Sequence, residues 1–320
     1  PYNGNSQYAV SDTGTLVHIP TSVLDPPRSV VWVDRDGREE TVLPAVRGYS
    51  APSLSPDGGR LALTVDDGNA DLWVYDLDRQ IMTRLTSSPS SEFSPAWYPD
   101  SRRLGFMLDV PIFDIYSIPA DGSGVQTPVH ESGVDSYLES ISSDGRWMAI
   151  REVQPDTKGD VLAVALDGET EARTIRDSPF DERFASFSPD GRYVTYESDD
   201  TGRIEVYVQP VHDSGPRLQV SREGGGLPLW GKSGEIFFWN EGHLLAVPVQ
   251  TRPSLSIGEP VRLFSTNHYA SWTTRGFDVT ADGQRVVLAR IPEASMPREI
   301  RVVFNWFTEV ERLAGPGGGG

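Results

Sequence analysis

Acidic side chains stand just ahead of short strand-like segments at several matching points of the chain, and such carboxylates can bind a metal ion. The expected ligands are Glu92, Glu139, Glu182, His268 and Asp278. Oxygen ligands alone favour Ca²⁺, whereas an added imidazole permits Zn²⁺ or Mn²⁺. His268 lies in "STNHYASWTTRGFD", the longest insertion of the chain, and long loops in compact repeats are commonly functional. These residues predict a divalent-cation site.

A cation held in this way could catalyse hydrolysis. It would polarise a carbonyl or phosphoryl oxygen and lower the pKa of its bound water to about 7. Glu92 or Glu182 would then act as a general base, while Arg183 or Arg275 would stabilise the developing negative charge. The expected substrates are esters, lactones or phosphotriesters. The residues leave a second interpretation open, in which the carboxylates are solvated or pair with arginines to stabilise the loops.

Aromatic and acidic residues accompany these positions and predict a funnel that receives a ligand. The expected funnel residues are Tyr49, Asp135, Tyr137, Tyr269 and Trp272. They would offer apolar surface and polar anchors to a small molecule or to a segment of a partner protein. Aromatic residues packed against their own sheet are the alternative. The chain has no HExxH, GxSxG or Walker-type motif, so no strong catalytic signature selects one chemistry.

The elements that position these residues follow from an internal repeat. One turn recurs with variations at residues 11–14, 55–58, 98–101, 142–145, 188–191, 231–234 and 280–283, as in "SPDG". Successive copies are 43 to 49 residues apart, a period that is typical of repeat architectures. Glycine ends six of the seven turns and supplies the positive φ that a tight hairpin requires. A strand of small and aromatic residues precedes each turn.

Each copy carries four alternating apolar and polar segments, which predict antiparallel strands. Four strands in about 45 residues, repeated, indicate a β-propeller. We predict an all-β fold with seven blades in a single domain at residues 1–314, and six blades with extra terminal strands as the alternative. The expected blades are residues 5–47, 48–90, 91–133, 134–179, 180–223, 224–266 and 274–314. Residues 315–320 ("GPGGGG") are expected to form a flexible tail.

Strand positions follow from the same alignment. Five small residues of the first strands are expected to line the axis: Ala9, Ser53, Ala96, Ser140 and Ser186. The next residue of each copy, such as Val10, is expected in the core between blades. The chain begins with an inner strand, so we expect the first and last blades to meet by packing rather than by sharing strands. Only "FNWFTEVERLA" near the end reads as a helical turn.

Composition excludes some partners. The 320 residues contain 28 Lys and Arg against 46 Asp and Glu, a formal charge of −18. Nucleic-acid binding is therefore not expected, because phosphates require clustered cations. No apolar run approaches the length of a membrane span, so this segment is not expected to insert into a membrane. There is no cysteine, which excludes disulfide or thiolate chemistry. We expect a monomer.

Several stretches of the chain carry a family resemblance. "LSPDGGRLALTVDDGNADLWVYDLDRQIMTRLT" and "ASFSPDGRYVTYESDDTGRIEVYVQPV" resemble TolB-type propeller repeats. The opening "GTLVHIP" with "RSVVWVDRDGREETVL", and the closing "REIRVVFNWFTEVERL", resemble the propeller appended to bacterial transmembrane Ser/Thr kinases. The resemblance implies a bacterial, periplasmic or otherwise extracytoplasmic sensor or interaction module. A ligand and a divalent cation would sit at the mouth of the central channel. The alternative functions are the metal-dependent hydrolase and a glycan-binding module.

Overall fold

The computed structural model describes residues 8–18, 26–154, 157–212, 215–266, 274–295 and 300–314. Short alternating segments form strands throughout, in agreement with the sequence pattern. In chain order the first strands are β1 (Tyr8–Val10), β2 (Leu16–His18), β3 (Arg28–Asp34), β4 (Glu39–Leu54), β5 (Arg60–Asp66), β6 (Ala70–Asp76), β7 (Ile81–Arg84), β8 (Glu92–Trp97), β9 (Arg103–Val110), β10 (Ile112–Pro119), β11 (Thr127–His130), β12 (Ser136–Ile141), β13 (Trp147–Glu152) and β14 (Asp160–Ala165).

The remaining strands are β15 (Arg173–Arg176), β16 (Glu182–Phe187), β17 (Tyr193–Ser198), β18 (Glu205–Pro210), β19 (Leu218–Gln219), β20 (Gly226–Trp230), β21 (Glu235–Asn240), β22 (His243–Gln250), β23 (Ser256–Ile257), β24 (Val261–Ser265), β25 (Phe277–Val279), β26 (Arg285–Arg290) and β27 (Arg301–Val303). A 3₁₀ turn spans Glu293–Ser295, and helix α1 spans Trp306–Ala314, where the sequence indicated a helical turn. Among the described residues, no helix is long and apolar enough to cross a membrane.

The prediction of four-stranded antiparallel sheets is confirmed. Strands β8–β11, β12–β15 and β16–β19 form three such sheets, in each of which the strands pair in chain order. Strands β20–β24 form a five-stranded sheet, in which β23 and β24 both pair with β22. The turn between the first two strands of each sheet is the recurring motif, and its glycines at residues 58, 145, 191, 234 and 283 all have positive φ. Ser101 adopts the same conformation without glycine, at a φ of 55°.

The long strand β4 belongs to two four-stranded arrangements. Its first half pairs with β3 and its second half with β5, which gives the sheet order β25-β26-β3-β4-β5-β6-β7. Strand β26 pairs with β3 from Arg285↔Asp34 to Arg290↔Ser29. Strands from near both ends of the chain therefore share a sheet. The expectation that these ends meet by packing alone is wrong, because backbone hydrogen bonds join them.

The first copy of the repeat departs from the others. Its two strands, β1 and β2, pair with β27 in a three-stranded sheet. Val10 was expected in a core between blades, but 39% of it is exposed. The prediction of seven four-stranded blades is thus not confirmed. The later part of this first copy supplies β3 and the start of β4, which pair with β25 and β26 in a different sheet.

Apolar side chains fill the spaces between neighbouring sheets. Trp97 of β8 packs with Ala62 and Val74 of the preceding sheet, and Phe187 of β16 packs with Ala163. Further clusters lie between β9–β10 and β12–β14, between β18 and β20–β22, and between β3, β26 and β4–β6. The cluster of Phe237 and Leu288 connects the β20–β24 sheet to β25 and β26. Large buried areas of this kind supply most of the stabilisation of such a fold.

The inner strands share a bulge. Ala51, Ser94, Phe184 and Leu227 occupy corresponding positions in β4, β8, β16 and β20, and all have positive φ, between 46° and 56°. The ladder shifts register at each of these points. A bulge leaves a residue outside the regular ladder, so its N–H can bond elsewhere. These groups are used at the candidate site.

Candidate functional site

One cavity of about 1190 Å³ is surrounded by six inner strands, β4, β8, β12, β16, β20 and β25. Ser53, Ala96 and Ser140 line it, as the alignment predicted for small residues at the axis, whereas Ala9 and Ser186 do not. Most of the surface of the cavity is apolar, and the apolar side chains that line it include Trp97, Ile141, Leu229, Trp230 and Phe277. A mostly apolar cavity with a few polar groups is the usual form of a ligand site.

Charged side chains gather where the inner strands begin. We define this end as the mouth, which comprises Asp135, Arg151, Lys158, Asp181, Arg183 and Arg275. Asp135 and Asp181 immediately precede β12 and β16, and Lys158 lies in the loop before β14. Asp57, Lys232 and Arg285 line the opposite end, beside the recurring turns. The mouth is therefore contributed by three of the sheets.

Ion pairs organise the mouth. The guanidinium of Arg151 donates from Nη2 to Asp181 Oδ1 at 2.9 Å, and that of Arg183 donates from Nε to Glu197 Oε1 at 2.7 Å. Lys158 Nζ donates to Asp199 Oδ2 at 2.8 Å. Arg–carboxylate pairs that are partly shielded from water fix side-chain geometry.

Among the residues that the structure describes, charge along the cavity is nearly balanced. The lining carboxylates are Asp57, Asp135, Glu139, Asp181 and Asp278, and the lining cations are Arg151, Lys158, Arg183, Lys232, Arg275 and Arg285. This balance differs from the −18 of the whole chain. To Arg183 and Arg275, which the sequence had already grouped with the acids, the structure adds four further cations, Arg151, Lys158, Lys232 and Arg285.

Glu139 and Asp278 line the cavity but bond to the backbone of neighbouring inner strands. Glu139 Oε1 accepts the N–H of Phe184 at 2.7 Å, and its Oε2 accepts the N–H of Ala185. Asp278 Oδ2 accepts the N–H of Leu54 at 2.7 Å. Each carboxylate thus connects its own strand to the next inner strand, and the Phe184 donor is one of the bulged residues.

Both carboxyl groups have raised pKa values. Loss of hydration on burial is the largest effect, and it raises the pKa of Glu139 to about 7 although the two backbone N–H groups favour the ionised form. The same cause raises the pKa of Asp278 to about 6, against the N–H groups of Leu54 and Val279. Both acids are therefore close to titration at neutral pH.

Arg275 reaches across the cavity. It precedes β25, yet its Nη1 donates to the carbonyl oxygen of Glu139 at 3.3 Å and its Nη2 to that of Phe184 at 3.0 Å. These acceptors belong to β12 and β16. The side chain consequently joins three inner strands.

Glu92 and Glu182 do not line the cavity. Both are fully buried at the starts of β8 and β16. Glu182 Oε1 accepts hydrogen bonds from Ser178 Oγ at 2.7 Å and Ser198 Oγ at 3.0 Å. Glu92 accepts hydrogen bonds from Ser88, and from Thr86 Oγ1 at 3.0 Å and Gln126 Nε2 at 3.1 Å. The structure therefore separates these two acids from Glu139, Asp278 and the arginines with which they were grouped.

The predicted funnel is only partly assembled. Asp135 and Tyr137 line the cavity, and Tyr137 stacks near Phe113 with ring centroids 5.3 Å apart. Tyr49 is buried between β3 and β5 instead. His268, Tyr269 and Trp272 lie outside the described residues, as does the tail at 315–320. In the part of the chain that is described, no three His, Asp or Glu residues are grouped so that they could hold a metal ion.

Sequence reasoning missed Arg151, Lys158 and Lys232. Lys158 had a signal, because the connection "VQPDTKG" between β13 and β14 is longer than "DGN" between β5 and β6 and "EG" between β21 and β22. Arg151 sits opposite Tyr137 in the β12–β13 ladder, so a predicted register would have placed it beside a funnel residue. Only the packing of neighbouring sheets brings it to Asp181.

Known proteins match this chain at several levels. A family model described as the TolB beta propeller domain matches residues 26–215. The Tol-Pal system protein TolB of Anaeromyxobacter dehalogenans is 50% identical over 44 residues, which cover 13% of this chain and 10% of that protein. The uncharacterized protein Atu1656 of Agrobacterium fabrum is 27% identical over 176 residues, which cover 54% of this chain and 57% of that protein. The matched segments therefore span from a tenth to just over half of these relatives.

A solved structure has a similar fold. The structure of a candidate TolB from Agrobacterium tumefaciens superposes with a TM-score of 0.68 at 16% identity, over 83% of this chain and 98% of that chain. At this level of identity the similarity shows the fold alone.

Proposed function

Because this chain belongs to the TolB β-propeller domain family, we propose that it is an interaction module that binds a partner segment or small ligand in its central cavity. The observation that carries the proposal is the cavity of about 1190 Å³, which has apolar walls and a charged mouth. Apolar walls supply affinity through burial, and the ion-paired mouth supplies orientation. The fold by itself does not determine function, so the proposal depends on this site.

The ring around the site consists of six blades in this proposal. Support comes from the pairing of β26 with β3, which completes a four-stranded unit with β25 and the start of β4. Apolar clusters on both sides of that unit give further support. The sheet of β1, β2 and β27 is then an addition outside the ring.

A bacterial, extracytoplasmic location also belongs to the proposal. Its support is family membership together with the match to a Tol-Pal system protein. The resemblance to propellers appended to bacterial kinases stays a prediction. The hydrolase alternative lacks support at the cavity, because Glu92 and Glu182, its expected bases, are buried away from it.

The test fills part of the cavity with a large side chain. Peptides are selected from a random library on the purified protein, and their affinities are compared for the wild type, Ala96→Trp and Val125→Trp. Ala96 lines the cavity, whereas Val125 is 83% exposed and lies outside the cavity lining. Circular dichroism checks that both variants are folded.

We expect the selected peptides to lose binding to Ala96→Trp and to keep it with Val125→Trp. The indole would fill space that the ligand requires, while the control adds an equal apolar surface elsewhere. A library that yields no binders, or binders with equal affinity for both variants, would overturn the proposal.

A further inference from the structure

The guanidinium of Arg275 joins strands that are not neighbours in the ring. The unit that contains β25 packs against the β20–β24 sheet on one side and the β4–β7 sheet on the other. Arg275 nevertheless donates to carbonyl oxygens on β12 and β16, which lie across the cavity from that unit. The side chain therefore forms a bar across the cavity at the mouth.

The guanidinium of Arg275 presents two N–H donors side by side, at the end of the cavity that other arginines also line. Nη1 and Nη2 contact two oxygens on adjacent strands, at 3.3 and 3.0 Å. The terminal N–H groups of a guanidinium form a planar fork, which a carboxylate can accept with its two oxygens. Arg151 and Arg183 line the same end of the cavity, with 17% and 24% of their side chains exposed.

Two acids of the cavity lining, Glu139 and Asp278, are already engaged by backbone N–H groups. The Glu139 carboxylate is engaged by the N–H groups of Phe184 and Ala185, and that of Asp278 by Leu54 and Val279. Burial raises the pKa of both groups towards neutrality, which weakens their repulsion of a second anion.

We propose that Arg275 is the anchor of a carboxylate-binding site in the cavity, and that a bound carboxylate replaces the carbonyl oxygens of Glu139 and Phe184 and releases the bar. This inference deepens the proposed function, on which it rests, by naming the ligand chemistry. A charged acceptor forms stronger hydrogen bonds with a guanidinium than a carbonyl oxygen does. The exchange therefore favours the ligand once its carboxylate has entered the mouth.

The carboxylate could belong to an acidic peptide or to a small organic acid. Isothermal titration calorimetry at low salt compares an oligoglutamate peptide and an oligoglutamine peptide of equal length, both with amidated C-termini, and succinate. The proteins are the full chain, Arg275→Gln and Arg262→Gln. Arg262 is exposed on β24, so its substitution removes the same charge outside the cavity.

We expect at least one carboxylate probe to bind the wild type and Arg262→Gln, and the oligoglutamine peptide not to bind. Loss of a charge-assisted fork should weaken binding to Arg275→Gln by about tenfold or more. Binding of succinate identifies a small acid, and binding of oligoglutamate alone identifies an acidic peptide. Equal binding to Arg275→Gln, binding of oligoglutamine equal to that of oligoglutamate, or no binding of either acid would overturn the inference.

A second variant serves if Arg275→Gln does not fold. Lys158 is 58% exposed at the mouth, so Lys158→Gln leaves the core intact. We expect this variant to bind the acid more weakly, with a smaller dependence on salt concentration. Unchanged affinity and salt dependence would contradict the inference. The library could also yield peptides that have no acidic residue and that bind the wild type but not Ala96→Trp. That result would leave the proposed function standing and would overturn only the inference that the ligand is a carboxylate.

Discussion

Two acids at the cavity combine a structural role with titration near neutral pH. Glu139 and Asp278 each accept backbone N–H groups from the next inner strand, so they hold adjacent sheets in position. Burial raises the pKa of both carboxyl groups. A group with a raised pKa in the folded state binds its proton more tightly there than in the unfolded chain, which makes stability depend on pH.

The pH dependence can be measured through Glu139. Its stabilising contribution is complete below the ordinary pKa of 4.5 and is lost as the pH rises through about 7. Between these limits we expect the free energy of unfolding of the wild type to fall by about 3 kcal/mol more than that of Glu139→Gln. Urea denaturation across this range gives both curves.

Arg151 and Arg275 are the charged groups that favour ionised Glu139, so the measurement is made at constant ionic strength. The exposed Glu241→Gln variant controls for the loss of a carboxylate at the surface. Parallel curves for wild type and Glu139→Gln would show that Glu139 titrates as an ordinary carboxyl group.

Glu182 illustrates how a residue type can mislead. Its position ahead of an inner strand suggested a channel ligand, but its carboxylate accepts hydroxyl groups of Ser178 and Ser198 inside its own sheet. Glu92 repeats the arrangement with Ser88, also four residues earlier. The same two positions hold Ser132 and Ser136 in the intervening copy, with hydroxyl oxygens 3.0 Å apart. In each of these copies, polar side chains form hydrogen bonds between the start of the inner strand and the segment just before it.

We therefore expect Glu182→Ala to reduce stability and to leave cavity binding unchanged. Two buried hydroxyl groups would lose their acceptor, at a cost of about 1–3 kcal/mol. Urea denaturation measures the loss, and the affinity of a library-selected peptide measures binding. Lost binding at unchanged stability would instead support the role that the sequence suggested for Glu182.

The inner strands share a bulge that serves the contacts between sheets. The N–H groups of Ser94, Phe184 and Leu227 are accepted by Thr64, Glu139 and Glu197 of the preceding sheet. The bulge turns these groups out of their own ladder. A distortion within one strand thus becomes a hydrogen bond to the neighbouring sheet.

The recurring turn depends on one backbone conformation, which adjacent glycines can test. Gly58 has a φ of 78°, and no atom lies within 4 Å of the position that an added methyl would take, so Gly58→Ala should cost about 1 kcal/mol of stability through backbone strain alone. Gly59 has no positive φ, and its methyl would contact only Asp57 Oδ1 at 3.7 Å. Gly59→Ala should keep or slightly raise stability. Thermal unfolding compares the two, and equal midpoints would refute the role of φ.

At the scale of the whole molecule, strands from both ends of the chain complete one unit. Val286, Val287 and Leu288 of β26 are almost fully buried, and they contribute to the apolar clusters on both sides of that unit. By contrast, β27 and α1 carry exposed side chains such as Val302 and Phe307. The two segments should therefore differ greatly in what they contribute to stability.

Two truncations test this difference. A chain that ends at residue 291 retains β25 and β26, and we expect cooperative unfolding close to that of the full chain. A chain that ends at residue 273 lacks both strands and leaves β3 without its partner, so we expect loss of cooperative unfolding. Circular dichroism during thermal unfolding distinguishes them. Similar cooperativity in both would show that the β26–β3 pairing does not support the ring.

The sequence by itself determined the features that depend on neighbours along the chain. Alternating apolar residues specify strands, and glycine at the turn specifies the hairpin, because both follow from local backbone sterics. The repeat and the terminal helix followed from the same patterns. These features define the four-stranded antiparallel sheets and place Ser53, Ala96 and Ser140 at the axis.

Tertiary structure decided which residues meet across sheets. The pairing of β26 with β3 joins segments about 250 residues apart in sequence, and no local pattern encodes it. The contact of Arg275 with Glu139 likewise joins residues far apart in sequence. Glu182, although next to Arg183 in sequence, instead bonds within its own sheet. Successive side chains of a strand face opposite sides, so adjacent residues can lie in different environments. Sequence therefore determined the strands, and packing around the axis determined the site.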